Sequence, residues 1–153
     1  MIYFLALLIG VLTGLRSFTP MAATAWYAHL RWIKLQGLLA SVGSMASAVI
    51  FTVLAIVELV WDKLPKTPSR TAPPGLIARI ILGGLTGACV GMSGGAAAVT
   101  SGVLGAIGGI GGAFGGYQAR TRLGKVLHSP DYVVAVLEDL VTICGSLWVL
   151  SRI

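Results

Sequence analysis

The residues of this chain whose chemistry stands out are charged side chains set beside or within long apolar stretches. They are Arg16, Glu58, Asp62, Glu138 and Asp139. A charge in apolar surroundings is costly, so it usually faces the protein interior or water and has a partner. We therefore expect these side chains, together with the hydroxyl residues Ser17 and Thr19, to line one site.

Glu58 and Asp62 are four residues apart, so they lie on one face of a helix. Two roles are open to them. They form a proton or cation site, or they end a helix at the membrane interface and pair with Lys63, Lys66 or Arg16.

Glu138 and Asp139 follow about two turns of apolar-leaning helix, so they lie inside a hydrophobic segment. Either carboxylate is a candidate partner for Arg16. Such a pair would line a cavity closed by the break at Thr19–Pro20. The alternative is a short helix that ends at the interface with Arg16.

The sequence indicates no catalytic residue, no metal site and no cofactor. His29 and His128 lie beside separate loops, and no Cys/His/Asp ligand spacing is present. Cys89 and Cys144 are single cysteines in apolar segments and are expected to be small packing residues. We do not expect an enzyme.

The composition favours a membrane as the solvent of the chain. Of the 153 residues, 56% are hydrophobic and only 10% are charged, whereas a soluble domain has about 25% charged residues. The net charge of +6 is spread over short connections, which is the pattern of a polytopic membrane protein. The expected partner is membrane lipid, with no nucleic acid.

The apolar stretches predict an all-α bundle of five or six membrane segments in a single domain, 1–153. The predicted segments cover 1–15, 21–30, 38–61, a span from 76 to a turn at 93–95, a span from there to 119, and 132–150. Residues 1–31 form either one helix broken at Arg16–Pro20 or two short helices in a hairpin, which we favour. Arg79, in the first turn of its span, is placed to snorkel to the interface.

The distribution of basic residues predicts an orientation. Seven Lys and Arg residues fall on one side and three on the other, before Arg16 is placed. The side with more basic residues is normally cytoplasmic. The connections 63–75 and 120–130 are therefore predicted to be cytoplasmic.

Small residues recur every four positions between residues 102 and 116. Such spacing lets helix backbones approach closely in a membrane. The interpretation is a glycine zipper that packs within the bundle or in a homo-oligomer, with a dimer favoured. The predicted packing residues are Gly105, Gly108, Gly109, Gly112 and Gly116.

Two short alignments suggest an internal duplication. Residues 8–14 (LIGVLTG) match 81–87 (ILGGLTG), and 53–58 (VLAIVE) match 133–138 (VVAVLE). If the duplication is real, residues 1–62 and 76–153 are related halves of three segments each, joined by the proline-rich basic connection 63–75. Many transporters have their binding site where two such repeats meet.

Four stretches together resemble a family of small bacterial integral membrane proteins catalogued as domain of unknown function 4126. They are GLRSFTPMAATAW (14–26), ELVWDKLPKTPSRTAPPGLIAR (58–79), GGYQARTRLG (115–124) and PDYVVAVLEDL (130–140). The resemblance covers nearly the whole chain and implies a multi-pass protein of the bacterial inner membrane. It supplies no activity and no catalytic residues.

From the residues, the leading hypothesis is a small transporter or channel-like protein with a charge-lined polar cavity. Arg16 would bind an anionic group or neutralise the acids, and a carboxylate would carry a proton or cation. The rival is a non-transporting scaffold that packs through its glycine-rich helix. The weakest alternative is an enzyme acting on lipid headgroups.

Overall fold

Helices account for all the regular structure in the part of the chain described by this computed structural model, residues 1–62, 72–127 and 131–153. The elements, in order, are α1 (Ile2–Leu15), α2 (Phe18–His29), a 3₁₀ helix (Gly37–Gly43), α3 (Met45–Trp61), α4 (Pro73–Ser93), α5 (Ala98–Leu127) and α6 (Asp131–Leu150). The predicted all-α class is confirmed. Of the two connections predicted to be cytoplasmic, residues 63–71 and 128–130 lie outside the described residues, and these include Lys63, Lys66, Arg70 and His128.

Three of the described helices are long and apolar enough to cross a membrane: Pro73–Ser93, Ala98–Val126 and Tyr132–Leu150. A fourth span is present if the 3₁₀ helix and α3 count as one bent unit. Since α1 has 14 residues and α2 has 12, each is shorter than the roughly 20 that a straight crossing needs. The predicted number of five or six crossing segments is therefore not confirmed.

The span predicted over residues 38–61 is not one continuous helix, because the chain bends by 63° between the 3₁₀ helix and α3. Three serines account for the bend. Ser44 caps α3 by accepting a hydrogen bond from the Ser47 backbone N–H, and the hydroxyl of Ser47 donates to the carbonyl of Ser41. Side chains that bond to nearby backbone groups in this way compete with a continuous helix.

Helices α1 and α2 form the hairpin of the two alternatives predicted for residues 1–31. The side chain of Ile2, at the start of α1, lies against Gly94. The backbone N–H of Lys34, after α2, donates to the hydroxyl of Ser93 at 3.2 Å. Both outer ends of the hairpin therefore lie at the same end of the bundle, called here the Ser93 end, and its turn lies toward the opposite Arg16 end.

Helix α5 packs against α1 and α4 through glycines on both sides of each contact. A Cβ atom added to Gly105 would lie 2.9 Å from the Cα atom of Gly87, and one added to Gly112 would lie 2.9 Å from the Cα atom of Gly14. Gly108 lies against the backbone of α1, and Gly109 lies against the backbone of α4. The three backbones approach so closely because no side chain separates them.

The packing gives no support to the predicted duplication. Thr13 and Thr86, which the first alignment equates, do meet, with their hydroxyls 3.2 Å apart. However, α5 packs between α1 and α4, whereas α2 packs mainly on α3 and α6. A two-fold relation between the halves would require α2 to occupy the position equivalent to that of α5.

Candidate functional site

Arg16 stands at the break between α1 and α2 and is almost fully buried. Its backbone is extended, with φ of −136° and ψ of 118°, so the helix stops there and its side chain turns into the bundle. The side chain is 1% exposed. Its Nη1 atom lies 2.7 Å from Asp62 Oδ2, and its Nη2 atom lies 2.5 Å from Asp139 Oδ1. Of the two partners predicted for it, Arg16 pairs with Asp139.

Asp62 connects Arg16 to a second arginine. The same oxygen, Oδ2, also accepts a hydrogen bond from Arg120 Nη1 at 2.8 Å. Asp62 is the residue at which α3 ends, and Arg120 lies on α5. The chain of ion pairs from Arg120 through Asp62 and Arg16 to Asp139 therefore ties α5, α3, the α1–α2 break and α6 together.

Glu58 has a different task, because its carboxylate accepts hydrogen bonds from the backbone. One oxygen accepts from the N–H of Ser17 at 2.8 Å and the other from the N–H of Phe18 at 2.9 Å. These N–H groups begin α2 and have no acceptor within their own helix. A negative charge at a helix N-terminus is also favoured by the helix dipole. Glu58 thus replaces the side-chain cap that α2 lacks.

Arg79 is the residue for which the sequence prediction is wrong. It does not snorkel to the interface; it is 7% exposed. Its Nε atom donates to the carbonyl of Gly14 at 3.0 Å, and its Nη2 atom lies 3.9 Å from Glu58 Oε1. The carbonyls in the last turn of α1 have no helical donor, and Arg79 supplies one.

These contacts define the ionic cluster, a set of three arginines and three acids that is formally neutral. Its members are Arg16, Glu58, Asp62, Arg79, Arg120 and Asp139. Since Arg79 is the seventh residue of α4 and Asp139 the ninth of α6, the cluster lies roughly 9–12 Å inside the ends of those helices. Sequence reasoning missed Arg79 and Arg120 as members, because both were counted with the interfacial charges.

The other predicted site residues lie next to the cluster without joining its ion pairs. Ser17 contributes its backbone, as described. Thr19 is buried, and its hydroxyl has no hydrogen-bond partner among the described residues; the same holds for Arg16 Nε. Buried polar atoms without a hydrogen-bond partner are rare, because nothing offsets the free energy lost when they are removed from water.

A cavity of about 190 Å³ opens between α5 and α6 beside the cluster. Among the described residues that line it, Arg120 and Glu138 are charged, and the others are apolar or small, including Leu15 and Val141. Gly116, the fifth predicted packing glycine, lies on its wall. The site is thus a compact ionic cluster flanked by an apolar crevice, and Glu138 faces the crevice.

Among the described residues, no group of three or more His, Cys, Asp or Glu side chains is arranged to hold a metal ion. Cys89 and Cys144 are both free thiols on different helices. The contacts seen at the ionic cluster are ion pairs and hydrogen bonds.

A family model described as Domain of unknown function (DUF4126) matches residues 3–151. No curated protein and no solved structure matches the chain. The match spans the ionic cluster and all six α-helices, so the features above belong to the matched region as a whole.

Proposed function

We propose that this chain, which belongs to the family described as Domain of unknown function (DUF4126), is a small membrane transporter or channel-like protein that moves protons or small ions. The observation that carries the proposal is the buried pairing of Arg16 with Asp62 and Asp139 at a helix break. The proposal is supported by Asp139, which pairs with Arg16 from a helix that is long and apolar enough to cross a membrane.

Stability alone does not account for such a cluster. Replacing a buried ion pair by well-packed apolar residues is often neutral or stabilising. Ionisable residues inside membrane segments usually mark an ion or substrate pathway or a proton relay. Broken helices near the middle of a bundle, with helix ends directed at an ion, are a feature of transporter binding sites.

The contacts support a division of roles. Arg16 is the fixed positive centre, since it is buried and held from two sides. Asp139 is assigned the role of proton carrier, because it is the carboxylate of α6 that contacts Arg16. Its neighbour Glu138 lines the crevice. When Asp139 takes a proton, its attraction for Arg16 weakens, and the guanidinium can then bind an anion instead. Asp62 stays shared between two arginines and keeps α3 in place.

The scaffold alternative is weakened by where the glycines lie. A scaffold that binds partners through α5 needs a free glycine face. Gly105, Gly108, Gly109 and Gly112 are already in contact with the backbones of α1 and α4 in the same chain. Homo-oligomer formation remains a separate proposal, for which the open positions Gly111 and Gly115 on α5 are the available surface.

The proposal is tested by flux in proteoliposomes. Purified protein is reconstituted with an entrapped pH-sensitive dye, and a potassium diffusion potential is imposed to drive protons; chloride, phosphate and acetate uptake are measured in parallel. We expect flux above that of protein-free liposomes. Asp139→Asn should lose most of it while remaining folded, and Gly124→Ala, at an open position near the end of α5, should not.

Two results would reject transport by this cluster. One is that no ion in the panel crosses faster than through protein-free liposomes. The other is a measurable flux that folded Asp139→Asn and Arg16→Lys proteins retain in full.

A further inference from the structure

A second cavity, of about 640 Å³, lies at the Ser93 end of the bundle, far from the ionic cluster. It is formed where α2 ends and the chain returns through the 3₁₀ helix. Three of its lining residues are His29, Arg31 and Lys34, and none is acidic; the others, such as Ile33 and Leu35, are small or apolar. This volume is in the usual range for a small-molecule site.

The turn after α2 holds Arg31 in a conformation that residues with a Cβ atom avoid. The N–H of Arg31 donates to the carbonyl of Ala28 at 3.1 Å, and the N–H of Trp32 donates to the carbonyl of Tyr27 at 2.9 Å. This is the Schellman motif, in which the left-handed position is normally glycine. Here it is arginine, at a φ of 60°. A strained backbone kept at a cavity wall is consistent with a side chain that is needed there.

The imidazole of His29 is fixed in orientation by the opposite wall of the cavity. Its Nδ1 atom lies 3.1 Å from the carbonyl oxygen of Gly43. A carbonyl oxygen can only accept a hydrogen bond, so Nδ1 must be the donor. In the neutral ring, Nε2 is therefore the acceptor, which can receive a hydrogen bond from a hydroxyl group.

Aromatic side chains near the cavity indicate its depth in a membrane. Tyr27 and Trp32 are stacked edge to face with ring centroids 4.9 Å apart, and Arg152 lies over the ring of Trp148 at 5.2 Å. Trp and Tyr are enriched at the level of the lipid headgroups. We therefore expect the cavity beside them to lie at the level of the headgroups.

The charged side chains that the structure describes at the Ser93 end are all basic. The acidic side chains that the structure describes are Glu58, Asp62, Glu138 and Asp139, and all belong to the Arg16 end. Arg31, Lys34 and Arg152 remain at the Ser93 end. Basic residues near a bilayer surface attract anionic lipids by about fivefold in affinity for each charge.

We propose that the cavity lined by His29, Arg31 and Lys34 binds the headgroup of an anionic phospholipid that carries a hydroxyl group, of the phosphatidylglycerol class. Arg31 and Lys34 bind the phosphate oxygens, and His29 Nε2 accepts from the headgroup hydroxyl. The acyl chains lie along the exposed apolar residues next to the cavity, of which Leu38 is 93% exposed. This assignment is independent of whether the ionic cluster transports ions.

The test compares the full-length protein in nanodiscs of phosphatidylcholine alone and of phosphatidylcholine mixed with phosphatidylglycerol. Thermal unfolding and native mass spectrometry report stabilisation and retained lipid. We expect phosphatidylglycerol to raise the Tm and to remain bound. Arg31→Gln and Lys34→Gln should each weaken its binding by about tenfold or more, because each removes a charge-assisted hydrogen bond to the phosphate.

Arg152→Gln is the matched control, because it removes a positive charge at the same end from a residue that does not line the cavity. It should weaken phosphatidylglycerol binding by no more than the about fivefold that one surface charge contributes. An equal loss in this variant would overturn the assignment, since it would indicate diffuse attraction to the surface. Equal Tm values in the two lipid mixtures would overturn it as well.

Two further measurements keep the proposal falsifiable. Glycerol phosphate added in solution should compete poorly; full competition would assign the cavity to a soluble anion and overturn the lipid assignment. Arg31→Gly relieves the left-handed strain, so it should raise the Tm in phosphatidylcholine and abolish most of the additional stabilisation by phosphatidylglycerol. A full phosphatidylglycerol response in this folded variant would contradict the role of Arg31.

Discussion

The guanidinium of Arg16, at the end of α1, lies 2.5 Å from the carboxylate of Asp139 in the middle of α6. The two residues are far apart in the sequence, and neither is near the surface: Arg16 is 1% exposed and Asp139 is 7% exposed. Their pairing, with Asp62 on the other side of Arg16, makes the helix break the electrostatic centre of the bundle.

Arg16→Gln should lower the free energy of unfolding by about 3–5 kcal/mol, because it leaves buried carboxylates without their main cation. Asp139→Asn should cost less, since Arg16 keeps its contact with Asp62. Reversible unfolding in mixed micelles measures both. Wild-type stability in Arg16→Gln would contradict the buried pairs, and exposed Arg152→Gln serves as the control.

Glu58→Gln should loosen the start of α2. A glutamine has one carbonyl oxygen and no charge, so only one of the two N–H groups of Ser17 and Phe18 would keep its acceptor. The expected cost is about 1.5–3 kcal/mol. Amide hydrogen exchange should become faster at residues 17 and 18.

The control for that experiment is Thr52→Val, which removes the acceptor of Trp26 Nε1 on the same pair of helices. Its effect should be confined to the later part of α2. If Glu58→Gln left exchange at residues 17 and 18 unchanged, the cap assigned to Glu58 would be wrong.

Substitution by alanine should change the stability of the protein differently at two neighbouring glycines of α5. Gly112→Ala would place a methyl group against the backbone of α1 and should cost about 1–3 kcal/mol. Gly111 has open space where its Cβ would be, so Gly111→Ala should be neutral or stabilising by up to about 1 kcal/mol. Equal effects of the two substitutions on unfolding would contradict the packing of α5 on α1.

The hydroxyl contact between Thr13 and Thr86 should be weak. Each threonine also bonds to a carbonyl of its own helix, at Ile9 and Leu82, so neither hydroxyl is left unsatisfied by losing the other. A double-mutant cycle with Thr13→Val and Thr86→Val should give a coupling of about 0.6 kcal/mol. A coupling above about 2 kcal/mol would mean that this contact governs how α1 and α4 meet.

The charged residues were the part of the site that could be predicted, because a charge in an apolar sequence needs an oppositely charged partner or contact with water. That reasoning paired Arg16 with Glu138 or Asp139 and set Glu58 and Asp62 nearby. It failed for Arg79, since a charge in the first turn of a span normally reaches water. What decides its position is the carbonyl of Gly14, which belongs to another helix and cannot be inferred from local sequence.

The helical class and the turn at Ser93–Gly95 were also predictable, from the length of the uncharged stretch and from its glycines. The bend before α3 was not. Hydropathy treats Ser41, Ser44 and Ser47 as tolerable residues in a span, whereas their hydroxyls form a local hydrogen-bond network that ends one helix and starts another. A mean hydropathy over a window of residues does not detect hydrogen bonds between side chains and the backbone.

The contacts of the α1–α2 hairpin impose an order on biosynthesis. The turn is made early, yet the acceptors for its N–H groups come with Glu58, and the anions for Arg16 come with Asp62 and finally with Asp139. Before those residues follow, the positive charge of Arg16 lacks these acidic partners, and burying it in lipid is costly. The α1–α2 break therefore completes its ion pairs only after α3 and α6, which supply Asp62 and Asp139, have been synthesised.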